Sequence, residues 1–450
     1  MKIKSILFNF ENILLIFWFG CLLSINSKIS DLYLENKNFL AISIIVLRIT
    51  IPVVVFLFLI IFLKIKKLNL FIISYLVYAL WQLIIYTSDK EYWIDNLERY
   101  HLIVSMLAII LIIHIVEYLN FKNLHLKILY ASIVFIGCIG IYFSYLLVSD
   151  LIKDEKVFYL YYNNTLISEG KSLLQTNPRI TGVSRMLGLL LLFIFSLFIC
   201  KEKKIFTYNF FFLTTIFIIS LLIYGMQSKG SYTSILLLLF YYLFFFKDKI
   251  KKKITIIFII LILPIISFET IIRVKNESIK MDNVESRFLS KNSLEIDGKT
   301  VEDYTTGRIE IWKRALTEIK EKKIILGYGP QADRTLLRSN NFDPKIPRHF
   351  YDSNASNGLI YSYLCAGIFG LFFILTVYSL IIREVYKSIF LKKAFVNKNS
   401  YVIFSILTLS FLSLRTIYEN GYTLFGVDFV FVIICYFILL KSNLEKNSRN

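Results

Sequence analysis

The chain has 450 residues, of which 56% are hydrophobic, 16% aromatic and only 18% charged. This balance excludes an ordinary soluble globular protein and is typical of a polytopic membrane protein. The formal net charge of +19 would suggest a nucleic-acid partner in a soluble protein, but the basic residues lie in short runs between apolar segments, as bilayer orientation signals do. We therefore expect no nucleic-acid partner.

Apolar segments with roughly the 20 residues that a helix needs to cross the hydrocarbon core recur along the chain. Twelve candidates lie at 6–25, 39–63, 68–87, 100–119, 128–148, 183–200, 205–226, 231–246, 254–270, 357–382, 400–417 and 424–440. The first has no small-residue cleavage site after it, so we expect a retained span rather than a signal peptide. The sequence predicts an all-α polytopic membrane protein with about 12 transmembrane helices, organised as a single membrane domain over residues 1–450.

The basic runs predict the orientation of these spans. With the N-terminus in the cytoplasm, all of them fall in inner loops, as the positive-inside rule requires. They lie at 64–67, 122–127, 201–204, 247–253, 383–398 and 441–449. An even number of spans returns the C-terminus to the cytoplasm and leaves the long polar interval between spans nine and ten, residues 271–356, on the outer face.

This large outer loop is too long for a simple connection and predicts helices of its own. Its best helix runs from about Thr306 to Lys323, capped by Thr305 or Thr306 and ended by the turn at 326–330. One face carries apolar residues at three- and four-residue steps, namely Ile309, Trp312, Leu316 and Ile319. A structural role explains the same pattern: the helix would pack on neighbouring loops or lie in the headgroup layer.

Ionisable residues cluster at the outer ends of the later spans, where they are costly and so are functional candidates. They are Arg179, Arg185, Lys229, Arg415, Glu419 and Asp428. If these ends converge, they form a cationic pocket that suits a polyanionic lipid headgroup, because guanidinium groups match phosphate oxygens in pairs. The alternative is that Arg185 and Arg415 reach headgroups and Asp428 bonds a neighbouring helix.

Among the four histidines, only His349 lies in the large loop. There a neutral imidazole could accept a proton from a sugar hydroxyl, although a lone loop histidine is more often without a catalytic role. No histidine pair has metal-ligand spacing, and no Gly-rich phosphate loop or Ser-His-Asp arrangement occurs.

Several short motifs occur in order along the second half of the chain. They are Gly182-Val183-Ser184-Arg185, Gln227-Ser228-Lys229-Gly230, Gly307-Arg308 with Trp312, Leu326-Gly327-Tyr328-Gly329, Asn357-Gly358-Leu359, Ala366-Gly367-Ile368-Phe369-Gly370, and Arg415 through Glu419-Asn420 to Asp428. Each is weak alone, but their order, spacing and predicted membrane side resemble those of the O-antigen ligase and O-antigen polymerase family of bacterial surface-polysaccharide assembly.

This resemblance implies a membrane glycosyltransferase that moves a glycan from undecaprenyl diphosphate at the periplasmic face of the bacterial inner membrane. It implies a fold like that of the glycosyltransferase C superfamily, no metal and no other cofactor. The expected partners are undecaprenyl-diphosphate-linked glycans, the lipid bilayer, a chain-length regulator and a flippase.

Without a metal, arginines must stabilise the departing diphosphate. The family pattern assigns this role to Arg185, Arg308 and Arg415, with Arg179 and Lys229 in support. Trp312, Asn357 and Asp428 join the expected substrate-binding set. Lys229 stands where an arginine is expected, so it keeps the charge but loses the bidentate geometry.

The choice between polymerase and ligase depends on the residues before span ten. Ligases carry a His-Asn pair there, whereas this chain has Ser356-Asn357. The missing histidine favours an O-antigen polymerase over a ligase that attaches glycan to lipid A core, and it leaves the general base open among His349, Asp352 and Glu419.

Two other classes of protein remain in the comparison. A lipid-linked oligosaccharide flippase predicts charges along a midplane cavity and repeated halves, whereas these charges gather at one face. A structural or regulatory membrane subunit would leave the large loop and its arginines unexplained.

Overall fold

A computed structural model describes residues 2–25, 39–62, 68–85, 93–119, 123–153, 180–200, 206–225, 229–245, 248–279, 308–337, 355, 357–391, 399–419, 421–423 and 426–447. These residues form helices and short turns, with no strand among them. The all-α class predicted from the hydropathy pattern is confirmed for this part of the chain.

The helices follow one another in a simple order. They are α1 (Lys2–Ile25), α2 (Phe39–Ile60), α3 (Leu70–Ile84), α4 (Trp93–Tyr118), α5 (Leu124–Lys153), α6 (Ile180–Cys200), α7 (Phe206–Gly225), α8 (Lys229–Phe245), α9 (Asp248–Ile279), α10 (Arg308–Glu321), α11 (Ala332–Leu336), α12 (Gly358–Tyr386) with a π-helical turn at Lys387–Leu391, α13 (Ser400–Thr416) and α14 (Gly426–Asn447). Each of the twelve predicted apolar segments coincides with one of these helices, and α10 and α11 lie in the large loop.

Five helical stretches of the described residues are long and apolar enough to cross a membrane. They are Tyr100–Tyr118, Leu124–Tyr145, Gly182–Cys200, Gly358–Phe390 and Gly426–Leu444. Shorter apolar helices occur at Phe10–Ser24, Ile49–Ile60, Leu70–Ile84, Asn209–Tyr224, Gly230–Phe244 and Ser400–Thr416. The chain is therefore a polytopic membrane protein, while the number of twelve spans and the glycosyltransferase C fold stay predictions.

The chain folds into two compact units. Unit 1 consists of Met1–Ser132, Thr305–Lys387 and Leu412–Asn450, and unit 2 of Ile133–Tyr304 and Ser388–Phe411. The chain passes from one unit to the other four times, so the division does not follow sequence order. The single membrane domain over 1–450 stays a prediction.

Aromatic packing holds the helices of unit 1 together. The rings of Phe71 and Tyr436 stack with centroids 3.8 Å apart, and those of Tyr78 and Phe373 stack at 3.9 Å. These contacts join α3 to α14 and α12. Stacked rings bury large apolar areas, so α3 is the central element of the aromatic core in this unit.

At the end of α12, the buried carboxylate of Glu384 ties this helix to α14. Its Oε1 lies 2.9 Å from Arg383 Nε and 3.4 Å from Lys387 Nζ, and its Oε2 accepts a hydrogen bond of 3.0 Å from Asn443 Nδ2. A buried carboxylate needs such partners because desolvation of the charge is costly. This cluster lies at the end of α12 that the basic runs predict to be cytoplasmic.

Polar contacts also anchor the helices of unit 2. Lys253 on α9 donates hydrogen bonds to the carbonyl oxygens of Phe198 and Ile199, at 3.0 and 2.9 Å. These carbonyls lie in the last turn of α6, where they lack partners within the helix. Tyr242 and Ser410 join α8 to α13 with a hydrogen bond of 2.9 Å.

Candidate active site

The predicted loop helix exists as α10, but the face that it buries differs from the predicted one. Ala315 is completely buried in a core cluster, and Ile311 and Ile319 pack against the same cluster. Leu316, which the spacing placed on the buried face, is 57% exposed. That placement is wrong because the neighbouring elements contact the side of the helix that runs through Ile311 and Ala315.

Ala355 links α10 to the segment around α11 through both of its backbone groups. Trp312 Nε1 donates a hydrogen bond of 2.9 Å to the Ala355 carbonyl, and the Ala355 amide donates one of 3.0 Å to Asp333 Oδ2. Both Ala355 and Asp333 are buried. The indole of Trp312, predicted to bind substrate, therefore positions the chain that leads into α12.

Asn357 connects the N-terminal end of α12 to the residue that follows α13. Its Oδ1 accepts hydrogen bonds from the amides of Leu359 and Ile360, which caps α12, and its Nδ2 donates one of 2.7 Å to the Ile417 carbonyl. Capping satisfies amides that have no partner within the helix. Both ends of this amide side chain thus contact protein backbone.

Arg415 lies two residues before that carbonyl, and only 1% of its surface is exposed. Its Nη2 is 4.0 Å from Glu419 Oε1, and the Glu419 side chain remains 19% exposed. A buried guanidinium is expensive to desolvate, so it requires negative charge or hydrogen-bond acceptors around it. Arg415 and Glu419 are the predicted cation and the predicted candidate base that the structure brings together.

Asp428 lies across the connection from α13 to α14, in the first turn of α14, and is 99% buried. A carboxylate at this position interacts favourably with the positive end of the helix dipole. Tyr422, between α13 and α14, is also buried, and its hydroxyl is hydrogen-bonded to Ser413 Oγ. Burial, followed by the nearby Tyr378, raises the pKa of the Tyr422 phenol well above its ordinary value, so this hydroxyl stays neutral.

Two of the family motifs, at 326–329 and 366–370, contact each other directly. Helix α12 is broken at Ala366 and Gly367, where Gly367 has a φ of +59°. The Tyr328 and Gly329 amides donate hydrogen bonds of 2.9 Å to the carbonyls of Leu364 and Cys365. We call this contact between residues 325–329 and the α12 break the clasp.

The clasp exchanges hydrogen bonds between the two segments. In an unbroken helix the Leu364 carbonyl would accept from Ile368, but the Ile368 amide donates instead to the Ile325 carbonyl at 2.9 Å. Glycine is required on both sides: a Cβ on Gly327 would lie 2.5 Å from Ala366 Cα, and one on Gly367 would lie 1.9 Å from the Ile325 oxygen. Both motifs therefore have a structural role.

Arg308 begins α10 in unit 1, but the structure describes only its backbone. Arg185 lies half-buried on α6 in unit 2, and Lys229 begins α8 in the same unit. Arg179, His349 and Asp352 fall outside the described residues, so their proposed roles stay predictions. The structure thus groups Trp312, Asn357, Arg415, Glu419 and Asp428 in unit 1 with Arg308.

Asp333 was missed by the sequence analysis. Its side chain is 99% buried beside Cys365 and Tyr361, and it fixes Ala355. The spacing Gly329-Pro330 followed by an acidic residue could have suggested a helix start, but nothing in it indicated burial. Among the residues that the structure describes, no group of three or more His, Cys, Asp or Glu side chains could hold a metal ion.

The fold defines a polytopic helical membrane protein with a folded segment, residues 308–337, between its ninth and tenth apolar helices. Residues 213–375, from α7 to the middle of α12, match the family model described as O-Antigen ligase. The match bears out the resemblance to this family over that part of the chain, while the motifs at 182–185 and 415–428 lie outside it. The match contains the whole clasp, Trp312 and Asn357. No curated protein matches the chain.

Proposed function

We propose that this protein is an O-antigen polymerase. In this proposal it transfers a glycan from undecaprenyl diphosphate to a lipid-linked repeat unit at the periplasmic face of the bacterial inner membrane. The family match over residues 213–375 supports glycan transfer in surface-polysaccharide assembly. Ser356-Asn357, in place of the His-Asn pair of ligases, is the observation that carries the choice of polymerase.

In the proposed reaction, a hydroxyl oxygen of the acceptor sugar attacks the anomeric carbon of the donor glycan. The bond from this carbon to the diphosphate oxygen breaks, and the diphosphate leaves with the electron pair. The hydroxyl proton passes to a carboxylate or imidazole base. With no nucleotide-sugar donor and no metal in the proposal, the protein must supply both the base and the positive charge at the leaving group.

Arg415 and Glu419 suit these two roles. The guanidinium is buried, which strengthens its interaction with a phosphate oxygen relative to water, and Glu419 is near it and partly exposed. A base must reach an acceptor that arrives from outside, so partial exposure of Glu419 favours it for that role. His349 and Asp352 remain alternative bases in the proposal.

Arg308 supports the same mechanism from the start of α10. A cation at the N-terminal end of a helix is unfavourable because the helix dipole is positive there. The arrangement becomes favourable when an anion binds, since the guanidinium and the helix amides then act on the same charge. A diphosphate is an anion of the required kind. Arg185 and Arg179, with Lys229, remain proposed contributors from their own part of the chain.

The test of the function is the lipopolysaccharide banding pattern of a deletion strain. A polymerase predicts lipid A core that carries single repeat units and no long ladder, with the ladder restored by the wild-type gene. Loss of all attached glycan would instead indicate a ligase, the alternative that the family description favours. Accumulation of lipid-linked units in the cytoplasm would indicate a flippase. Either of these outcomes overturns the proposal.

The roles of the arginines need variants in the complemented strain. We expect Arg415→Ala, Arg308→Ala and Arg185→Ala each to reduce polymer formation by about 10²–10³, as the loss of a group that stabilises developing charge does. Lys313→Ala, an exposed change on α10, is the matched control and should leave the ladder intact. Full-length polymer from both the Arg185 and Arg308 variants, at normal protein levels, would refute the diphosphate assignment.

A further inference from the structure

The segment between α10 and the clasp exposes two large apolar side chains. Ile325 is 63% exposed and Leu326 is 54% exposed. Phe369 and Phe372, on α12 immediately after its break, are exposed as well. Trp81 joins these elements, because its Nε1 donates a hydrogen bond of 3.0 Å to the Leu326 carbonyl and its ring lies 4.5 Å from that of Phe369. Together these residues form an apolar surface at the clasp.

The position of this surface along α12 places it at the edge of the bilayer. Arg383 lies in the last turn of this helix, next to Glu384, and begins the basic run that is predicted to lie in the cytoplasm. The distance from Gly367 to Arg383 along a helix is ~24 Å, whereas the hydrocarbon core is ~30 Å thick. For a helix along the bilayer normal, the outer boundary falls ~20 residues before Arg383, near residue 363. The clasp then lies just inside the hydrocarbon, and about the first turn and a half of α12 extends beyond it.

The backbone of the clasp is suited to this depth. Non-helical backbone is tolerated in the hydrocarbon region only where its polar groups are satisfied within the protein. The carbonyls of Ile325 and Leu326 accept hydrogen bonds from Ile368 and Trp81, and the amides of Tyr328 and Gly329 donate to α12. This irregular segment can therefore face acyl chains without leaving these four groups unpaired.

Cations lie immediately before the apolar residues. Lys320 and Lys323 are exposed at the end of α10, and Lys322 pairs with Glu318 at 2.8 Å. Residues 308–323 contain six Lys or Arg against three Glu. Lysine ammonium groups above an apolar surface match the phosphate layer of a bilayer.

We propose that Lys320, Lys323, Ile325 and Leu326 form a docking surface for anionic phospholipid of the outer leaflet. Ile325 and Leu326 enter the acyl layer beside Phe369 and Phe372, while the two lysines bind lipid phosphates. The large outer loop is then held to the membrane at this point as well as through its ends. This surface is independent of glycan transfer and of the proposed polymerase activity.

Nitroxide labels on the full-length protein in lipid nanodiscs test the depth of the segment. Cys138 and Cys200, the native cysteines that are not buried, are replaced by serine. In this background Ile325→Cys is the test site, Phe372→Cys the lipid-facing reference and Thr317→Cys the control, on the exposed side of α10. We expect the label at 325 to resemble the one at 372, with oxygen colliding more often than a water-soluble nickel complex. If it resembles the label at 317, the proposal is wrong. Leu326→Cys repeats the measurement if the first variant does not fold.

The charge requirement is tested by comparing nanodiscs of phosphatidylcholine alone with nanodiscs that also contain phosphatidylglycerol. We expect the label at 325 to lie deeper when the anionic lipid is present, and this difference to vanish in the Lys320→Gln/Lys323→Gln variant. An equal depth in both lipids for the wild-type lysines would overturn the anionic headgroup contact. A difference that survives the double substitution would overturn the role of these lysines.

Discussion

Asn357 shows how one side chain can join two helices. Its Oδ1 caps α12 and its Nδ2 reaches the backbone of the α13 end. Arg415 belongs to that same end, so Asn357 fixes the distance between the start of α12 and the proposed diphosphate contact. The family motif around Asn357 has an explanation in this geometry, in addition to any contact with substrate.

Asn357→Asp separates the two halves of this interaction. Aspartate keeps the acceptor for the α12 amides but loses the donor to the Ile417 carbonyl. A carboxylate oxygen would then face the carbonyl oxygen of Ile417. We expect Asn357→Asp to lower polymer formation more than it lowers thermal stability in detergent, while Asn357→Ala also loses the cap, at a cost of about 1 kcal/mol. Equal ladders from wild type and Asn357→Asp would contradict the positioning role.

Trp312→Phe removes one hydrogen bond and keeps most of the aromatic packing. The Ala355 carbonyl then loses its indole donor, which costs about 0.5–1.5 kcal/mol of unfolding free energy. Thermal unfolding of the purified protein measures this loss. Thr317→Val, on the exposed side of α10, is the control and should unfold at the wild-type temperature. An unchanged Trp312→Phe protein would mean that the α10 contact with Ala355 contributes nothing to stability.

Among elements, the clasp determines how the outer loop meets the spans. At the break in α12, the Ile368 amide donates to Ile325 instead of to the Leu364 carbonyl, and the Tyr328 amide donates to that carbonyl in its place. Because Gly327 and Gly367 have no Cβ, the two backbones can lie closer together than residues with side chains would allow. The folded outer segment and α12 therefore depend on each other.

Gly367→Ala should disrupt this element. Its φ of +59° is unfavourable for alanine by about 1–2 kcal/mol, and the added Cβ would lie 1.9 Å from the Ile325 oxygen. We expect a total loss on the order of 3 kcal/mol and faster cleavage by trypsin after Lys322 and Lys323.

Gly137→Ala is the control because Gly137 lies inside a regular apolar helix, α5, where alanine fits the backbone. Its Cβ would meet Leu190 at an ordinary 3.6 Å, so the change should be neutral or stabilise the helix by up to ~1 kcal/mol. If Gly367→Ala were as stable and as resistant to trypsin as Gly137→Ala, the clasp would not hold the two segments together.

Across the whole molecule, the chain passes four times between two units, and the residues of the outer region are drawn from distant parts of the sequence. Unit 1 combines α3 with α10 to α12 and the turn between α13 and α14. All of the proposed function depends on the orientation of this unit, because an undecaprenyl-diphosphate glycan is expected at the periplasmic face.

Labelling of single cysteines tests this orientation. The native cysteines that are not buried are Cys138 and Cys200. In a Cys138→Ser/Cys200→Ser background, we expect a membrane-impermeant maleimide to modify Glu321→Cys in intact spheroplasts and Lys252→Cys only after lysis. Both side chains are exposed, so accessibility within the protein does not limit the reaction. The reverse pattern would place α10 in the cytoplasm and refute the predicted topology, together with the proposed periplasmic site.

The membrane class, the helices and the resemblance to the O-antigen ligase family could be inferred from the sequence, because hydropathy and short motifs are local properties of the chain. The start of α10 was predicted within two residues. Arg415 was selected from its position at the end of an apolar segment, and Asn357 from a motif of the family that the chain resembles. The face of α10 was predicted incorrectly at Leu316, since spacing indicates an apolar side but does not say which part of it the neighbours cover.

Only the tertiary structure decided what these residues contact. The hydrogen bonds of the clasp join positions about 40 residues apart, and the tie from Asn357 to Ile417 spans 60 residues. Asp333 is buried beside Ala355 and the α12 residues Tyr361 and Cys365, which are distant from it in sequence. Such contacts arise when distant segments satisfy each other's unpaired backbone groups, a condition that no local pattern of side chains expresses.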